Sequence, residues 1–350
     1  MYDWTVHMGN YANRVTIRDI ASACEVSTAT VSRVLNHIPG GYSAETEERI
    51  RDTAEKLGYV PNRMARSLIT RRTNLIAVLV PDIHYCFFQD FFVRLEQYLN
   101  GFGYRVLLCN TQEQQELEEQ YIRELCNGLV DGLIVSTLNK DESNEALLDI
   151  SRKGFPVVLL ERYGEGLTEL CRLSVDNVGA ARVAVNHLYG EGHRRIAFIS
   201  GGEDAQNARF RFEGYLEGLK DNGLEYDKEL VSDGNYSFES GTSAMQKLLE
   251  RGGFTAVIGA NDLMTVGACK AITQKGLRIP DDISVMGVDN TILTRTQEPA
   301  ITAVDFCAAE LGEKAGSLLM KMIRDELPEK EIYMQEPRLV PGHSVSKVHG

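Results

Sequence analysis

Several kinds of apparatus are missing from this 350-residue sequence. No stretch approaches the ~20 apolar residues that a membrane-spanning helix requires. The first 13 residues, MYDWTVHMGNYAN, offer neither a basic start nor an apolar core, so no secretory signal is expected there. The seven cysteines (24, 86, 109, 126, 171, 269 and 307) include no C-x-x-C pair and stand scattered among apolar neighbours. They read as free thiols of a reducing compartment, and the expectation is a cytoplasmic protein. The seven histidines show no metal-ligand spacing, so no metal site is expected, and His193 in GEGHRRIAFI reads as a structural loop residue. No G-x-G-x-x-G follows a strand; Gly101 and Gly103 close a helical run before one, the wrong order for a dinucleotide. A Walker loop and a G-x-S-x-G elbow are also lacking. Neither an enzyme nor a resident cofactor is expected. Net basic charge is lacking as well: at −13, the chain is not a protein that coats nucleic acid non-specifically.

What is present is 43% hydrophobic and 25% charged, ordinary for a globular protein and long enough for two or three domains. The charge is unevenly spread. Residues 1–72 carry ten Lys/Arg against eight Asp/Glu, a net of +2 that leaves −15 on the remainder. DNA would be repelled by the bulk and approachable by the N-terminal piece alone. That piece contains VTIRDIASACEVSTATVSRVLN, residues 15–36, which parses as two short helices around a tight turn. Thr16 can cap the first, with Asp19 three residues on. Ile17, Ile20, Ala21 and Cys24 then fall on one apolar stripe. Glu25 and Val26 make the turn, and Ser27 can cap the second helix. There Val31, Val34 and Leu35 share an inward face, while Thr28, Ala29, Ser32 and Arg33 share the opposite one. A face of small and hydroxylated residues ending in an arginine suits a helix pushed into a DNA major groove. On periodicity alone, an ordinary helical hairpin fits equally well.

The loop NHIPGGYS leads to a third helix capped by Ser43, with Glu45, Glu47 and Glu48 at its start and Gly58 as its stop. Ile50, Ala54 and Leu57 would close a small core over the first two helices. Pro61 then opens a segment that can form only about two helical turns, below the ~12 residues that hold in water alone. It is either a plain linker or a helix that forms against a partner. From Asn74 onward, the apolar runs NLIAVLVP, YRVLLCN, DGLIVST, PVVLLE, RIAFISG, TAVIGAN, ISVMGVD and AITAVD alternate with helical periods. That alternation predicts parallel sheets covered by helices, in two doubly wound subdomains.

Taken in order, residues 15–36, GYVPNRMARSL, NLIAVLVPDI, GHRRIAFISG, RFRFEGY, ANDLMTVGACKAI and RIPDDISVMGVDN resemble the lactose-repressor (LacI/GalR) family of bacterial transcription regulators. The resemblance covers almost the whole chain in register. It implies a multidomain protein: an all-α helix-turn-helix headpiece over 14–60, after a disordered tail of 1–13, then a hinge helix over 61–73. An α/β periplasmic-binding-protein-like effector and dimerisation domain over 74–343 would follow. Its chain would cross between lobes three times, placed here near Cys171, Val304 and Met334. The first lobe is then 74–170 plus 305–332 and the second 171–303 plus 333–343, with 344–350 as a tail. No apolar heptads follow, so a homodimer is expected. On double-stranded operator DNA, Thr28 and Ala29 would meet base edges, Ser32 would share their face, and Arg33 would reach a guanine or phosphate. Thr16, Ser27 and Asn36 would hold phosphates. Paired hinges would enter the minor groove, with Leu68 as the kinking wedge, Asn62 on the backbone and groove, and Arg63 and Ala65 beside them. Two local departures stand out: Glu25 replaces a usual glycine in the turn, and Gly40-Gly41 adds one residue to the loop before Ser43.

Ligands of open α/β sheets sit beyond the carboxyl ends of the strands. Glu161, Arg162, Asn261, Asp262, Asp289 and Asn290 occupy such ends; Arg211 opens a helix and Tyr236 lies in GNYSF. Singly, each suits a helix cap or a solvated loop. Together they outline a cleft in which carboxylates and arginine hold vicinal hydroxyls and a ring stacks on a sugar. The resemblance implies Arg211, Asn261 and Asp289 as effector contacts, Tyr236 as an aromatic wall, Glu161 in place of a frequent aspartate, and Ser136 from the first lobe. Tyr85-Cys86-Phe87-Phe88 replaces a common Asn-Pro-Phe-Phe, and Phe306 stands where glutamine is common, which makes the first-lobe wall more apolar. The expected function is a ligand-responsive repressor of sugar-utilisation or related metabolic genes, bound to a palindromic operator as a dimer. A nucleoside- or purine-responsive regulator is the alternative. A solute-binding protein of transport would carry a signal peptide and no DNA unit, the reverse of this chain.

Overall fold

The structure, a computed structural model, describes residues 15–60, 72–137, 145–162, 167, 170–202, 205–326 and 331–348. It falls into two compact units, 1–73 and 74–350. The expected tail and most of the expected hinge, including Asn62, Arg63, Ala65 and Leu68, lie outside the described residues.

The first unit is built from α1 (Ile17–Ala23), α2 (Thr28–Leu35) and α3 (Ala44–Lys56). Their apolar stripes converge on Ile20, Val31, Val34 and Ile50, all fully buried, with Ala21, Cys24 and Ala54 around them. Each helix start is satisfied locally. The Asp19 carboxylate accepts from the Thr16 N–H (2.7 Å) and hydroxyl (2.8 Å), and these bonds lower its pKa. Ser27 Oγ accepts from the Thr30 N–H and Ser43 Oγ from the Thr46 N–H. The turn between α1 and α2 places Glu25 at φ +50°, in the left-handed region. Gly40 and Gly41, at φ +94° and +83°, take a backbone path that a side chain would strain.

The second unit holds two six-stranded sheets. The first contains β1 (Leu75–Val80), β2 (Arg105–Asn110), β3 (Gly132–Val135), β4 (Val157–Leu160), β5 (Cys171–Val175) and β11 (Ile332–Gln335), in the order β11-β5-β4-β3-β1-β2 and parallel throughout. The second contains β6 (Ile196–Ser200), β7 (Val231–Asp233), β8 (Ala256–Gly259), β9 (Ser284–Asp289), β10 (Thr302–Asp305) and β12 (Arg338–Val340). Its order is β12-β10-β9-β8-β6-β7, with only β12 antiparallel. Strands β3, β4, β6 and β8 are buried along their whole length, as strands covered on both faces are. The covering helices are α4 (Phe87–Asn100), α5 (Gln115–Leu125), α6 (Glu145–Arg152) and α12 (Ala308–Ile323) on the first lobe. The second lobe has α7 (Asn177–Gly190), α8 (Gln206–Asp221), α9 (Phe238–Arg251), α10 (Asp262–Gln274) and the short α11 (Ile292–Arg295). Helix pairs approach closely at glycine. A Cβ at Gly214 of α8 would sit 2.1 Å from the Val178 carbonyl oxygen of α7.

The crossings between lobes fall a few residues later than the sequence suggested. β5, expected to open the second lobe, pairs with β4 and β11 and is a strand of the first sheet. Asp305 belongs to the second sheet, and all of β11, including Tyr333, Met334 and Gln335, belongs to the first. Each displaced strand completes an existing sheet before its chain turns away, so the crossings occur at strand ends and not within strands. The expected tail at 344–350 needs correction too. Ser344 is fully buried, its hydroxyl donating to the Val285 carbonyl (2.5 Å) and accepting from the Thr302 N–H (2.8 Å). His193 Nε2 donates to the Ser346 carbonyl (3.1 Å) while Nδ1 pairs with the Thr255 hydroxyl (2.7 Å), the structural role its loop position suggested.

Candidate functional site

On α2 the surface is divided as its periodicity requires. Thr28, Ala29 and Arg33 are exposed and Ser32 half-buried, opposite the buried Val31 and Val34. Arg33 projects beside the Gly40-Gly41 loop, its Nη1 3.5 Å from the Gly40 carbonyl. A Cβ at Gly41 would fall 2.7 Å from that nitrogen, so the second glycine leaves the guanidinium room to lie there. The Asn36 amide donates to the Ser32 carbonyl (2.8 Å), and the Thr16 and Ser27 hydroxyls serve the caps described above. The second unit carries a separate cleft between its two lobes, organised around Arg211.

Arg211 sits on the first turns of α8, a turn after Asn207, and is buried. Its Nε donates to Asn177 Oδ1 (2.7 Å) and its Nη1 to the Ala260 carbonyl. Nη2 lies 3.5 Å from both Glu161 Oε1 and Asp289 Oδ1, close enough for strong attraction. The ring of Phe306 lies beneath the guanidinium at 5.0 Å and that of Tyr236 at 5.9 Å. Burial pulls the guanidinium pKa down, but Asp289, Tyr236 and Glu161 more than offset this and raise it. Glu161 comes from the first lobe and also accepts from Asn207 Nδ2 (3.0 Å). It thereby clasps the two lobes. Tyr85 and Tyr236 meet edge to face across the same gap, 5.9 Å between centroids.

The carboxylates here are crowded. Burial pushes Asp262 up to about 6 despite hydrogen bonds from the Thr291 N–H (2.5 Å) and the Thr294 hydroxyl (2.8 Å). Burial raises Asp289 well above the usual range as well; Arg211 opposes the shift, and Asp262 and Glu161 add to it. Backbone strain gathers at the same place. Glu161 (φ +59°), Tyr236 (+65°), Asp289 (+105°) and Asn290 (+57°) all hold left-handed conformations. Non-glycine residues do so at a cost of roughly 1–3 kcal/mol each, and such strain collects at functional sites. Each stands at or just beyond a strand end or in the loop that follows one, where the backbone turns sharply.

Of the residues expected at the ligand site, Phe87, Phe88, Glu161, Arg211, Tyr236, Asn261 and Asp289 line one cleft. Asn261 spends its amide on structure: Oδ1 caps α10 by accepting from the Met264 N–H (2.9 Å), and Nδ2 donates to the Tyr236 carbonyl (3.1 Å). Ser136 and Phe306 are buried but not part of the lining; Phe306 supports Arg211 from behind. Tyr85, Arg162, Asn207 and Asp262 also belong to the lining, Arg162 and Asp262 being two of the strand-end residues expected to outline the cleft. Asn207 precedes Arg211 by four, the helical spacing that signals a shared face. The cavity between these side chains is only about 30 Å³. That is room for an ordered water or two.

Comparison with known proteins supports the same division. Residues 16–62 match the model of the bacterial regulatory proteins of the lacI family, and 185–345 match the periplasmic binding protein-like domain. The chain is 31% identical to the HTH-type transcriptional regulator DegA of Bacillus subtilis over 96% of its own length and 99% of that protein's. A lac repressor dimer bound to operator and the anti-inducer ONPF superposes with a TM-score of 0.85 at 26% identity, covering 95% of this chain and all of that one. The transcriptional regulator CelR in complex with cellobiose gives a TM-score of 0.71 at 31% identity over the same shares. With a helix-turn-helix headpiece and a two-lobed periplasmic-binding-protein-like domain both in place along the full length of such relatives, the chain belongs to the LacI family of ligand-responsive, DNA-binding transcriptional repressors.

Proposed function

We propose that this repressor binds a palindromic operator as a homodimer and senses a sugar or sugar derivative between the lobes of its second unit, controlling sugar-utilisation or related metabolic genes. The observation that carries the ligand reading is a set of buried polar atoms without hydrogen-bond partners around one cleft: Tyr236 Oη, Asp262 Oδ1 and Asp289 Oδ1. Buried polar groups are ordinarily paired, and a polyhydroxylated ligand supplies such partners. The rings of Tyr85, Phe87, Phe88 and Tyr236 supply apolar faces beside them. The operator reading rests on α2, whose outward face bears Thr28, Ala29, Ser32 and Arg33. Small side chains at the front read few base edges directly. Arg33 and the deformability of the site therefore carry a large share of the specificity.

Ligand entry must part the Glu161–Asn207 and Tyr85–Tyr236 contacts, which links binding to the disposition of the lobes. The wall of Tyr85, Phe87 and Phe88 also suits a flat base, so a nucleoside or purine is the second reading. Selection from random duplex DNA at fixed salt, followed by titration with a panel of sugars, sugar acids, sugar phosphates and nucleosides, tests both halves. The expected outcome is a palindromic consensus whose affinity one panel member changes by roughly 5–150-fold. A consensus without two-fold symmetry refutes the dimeric operator. A response to nucleosides alone refutes the sugar.

A further inference from the structure

The cleft holds two arginines, and they are not equivalent. Arg211 stands between Glu161 and Asp289. Arg162, which follows β4 on the first lobe, is only 5% exposed and lines the same cleft. Among the described residues, no carboxylate is paired with it; its neighbour Glu161 is committed to Arg211 and Asn207. Its Nε is sealed from solvent and makes no hydrogen bond. An arginine cannot shed its proton, so a buried one without a counter-charge is costly. Tyr85 of the first lobe and Tyr236 of the second line the same cleft as Arg162. Tyr236 Oη is itself buried without a partner, its ring seated on Gly201, where a Cβ would fall 2.2 Å from the ring.

The cleft therefore presents two buried groups with no acceptor, Arg162 Nε and Tyr236 Oη. It also presents two buried carboxylate oxygens with no hydrogen bond, Asp262 Oδ1 and Asp289 Oδ1, the second only ion-paired with Arg211 Nη2 at 3.5 Å. We infer that the effector is a polyhydroxylated anion, a sugar acid or a sugar phosphate, whose negative group is held by Arg162 and Tyr236 while its hydroxyls donate to Asp289 and Asp262. This rests on the sugar-sensing reading above and narrows it. A neutral sugar would leave the Arg162 charge uncompensated, whereas a carboxylate or phosphate forms the charge-assisted bonds that a guanidinium fork favours.

The test is calorimetric titration and thermal shift on the full-length protein with matched sets: neutral hexoses, the corresponding hexuronates and aldonates, and the corresponding hexose phosphates. At least one anionic member should bind about tenfold or more tightly than its neutral counterpart. Arg162→Gln should abolish that preference, and Arg162→Lys should keep part of it. Because removing an unpaired buried charge relieves a cost, ligand-free Arg162→Gln should melt at the wild-type temperature or above. Preference for carboxylates over phosphates, or the reverse, identifies which anion the cleft takes. Equal affinity for neutral and anionic partners, or a preference that survives Arg162→Gln, overturns the inference and leaves the sugar reading standing. A ligand-free variant that melts well below wild type also overturns it, by showing Arg162 to be structural. No response to any sugar overturns both.

Discussion

The turn between α1 and α2 offers a clean perturbation. Glu25 holds φ +50°, where the Cβ of an L-residue crowds the following carbonyl at about 1–2 kcal/mol. Its side chain is exposed and, among the described residues, takes part in no hydrogen bond or ion pair. The turn is held instead by its backbone, with the Glu25 N–H donating to the Ser22 carbonyl (3.3 Å) and the Val26 N–H to Ala21 (3.0 Å). Glu25→Gly therefore removes strain without removing a contact. Against the gain stands the greater freedom of glycine in the unfolded chain, about 0.5–1 kcal/mol. The difference is a net stabilisation of about 0.5–1 kcal/mol. In hydrogen exchange followed by mass spectrometry on the full chain, amides of α1 and α2 should exchange about 2–5-fold more slowly. Glu25→Ala is the control: it deletes the carboxylate but keeps the Cβ and should leave exchange unchanged. If alanine protects as well as glycine, the gain came from charge, and the strain argument is refuted. If neither protects, the left-handed turn costs nothing.

Other consequences follow from the cleft and the packing. Arg211→Ala leaves Glu161 and Asp289 facing each other without a cation and strips Asn177 and the Ala260 carbonyl of a donor. Breaking a buried pair in this way costs about 3–5 kcal/mol, so the melting temperature of the larger unit should fall by on the order of 10 °C; a wild-type melt would mean that the network contributes nothing. The Asp262 carboxyl titrates at about 6 in the folded chain and near 3.8 outside it. A raised carboxyl pKa means that stability is highest below the unfolded value and falls as pH rises through the folded one. Asp262→Asn should thus gain thermal stability relative to wild type at pH 7.5 compared with pH 4; a difference independent of pH would refute the shift. Gly214→Ala pushes a methyl group against the Val178 backbone oxygen of the neighbouring helix, where neither side can yield. A loss of about 1–3 kcal/mol in denaturant unfolding is expected, and a neutral result would show that α7 and α8 slide apart freely.

The long apolar strands were legible because burial on both faces writes itself as an unbroken run, as in LIAVLV or AVIG. The strands absent from that pattern are CRLSV in β5, whose apolar run Arg172 and Ser174 interrupt, and three short ones at sheet margins, VSD in β7, IYMQ in β11 and RLV in β12, each with exposed positions. Strands of three or four residues with polar members carry too few periods to stand out from loop. Without those strands in the pattern, the expected crossings at Cys171 and Met334 fall before or within β5 and β11, which belong to the first sheet. The cleft was half legible. Residues beyond strand ends announced themselves through topology, but the burial of Arg162 and the diversion of Asn261 into capping depend on which neighbours the fold delivers, and neither leaves a trace in local pattern. Ser344 and Ser346 show the same limit, where the Ser344 hydroxyl accepts from the Thr302 N–H, 42 residues away, and the Ser346 N–H donates to the Ser284 hydroxyl, 62 away, locking a segment that composition marks as tail.

Three short peptides join the halves of the second unit: Asp176 between β5 and α7, Phe306-Cys307 between β10 and α12, and Glu336-Pro337 between β11 and β12. A single tether would let two bodies tumble, and a pair would let them swing about the line between the tethers. Three fastenings behave like a sheet-metal flexure that yields in one rocking or twisting mode and resists sliding and separation. Cys307, fixed at φ +54°, and Pro337, with its ring-locked φ, stiffen two of the three straps. On the reading proposed above, a ligand in the gap would act on the lobes through these three connections. Ligands of quite different shape would register as more or less travel on the same dial.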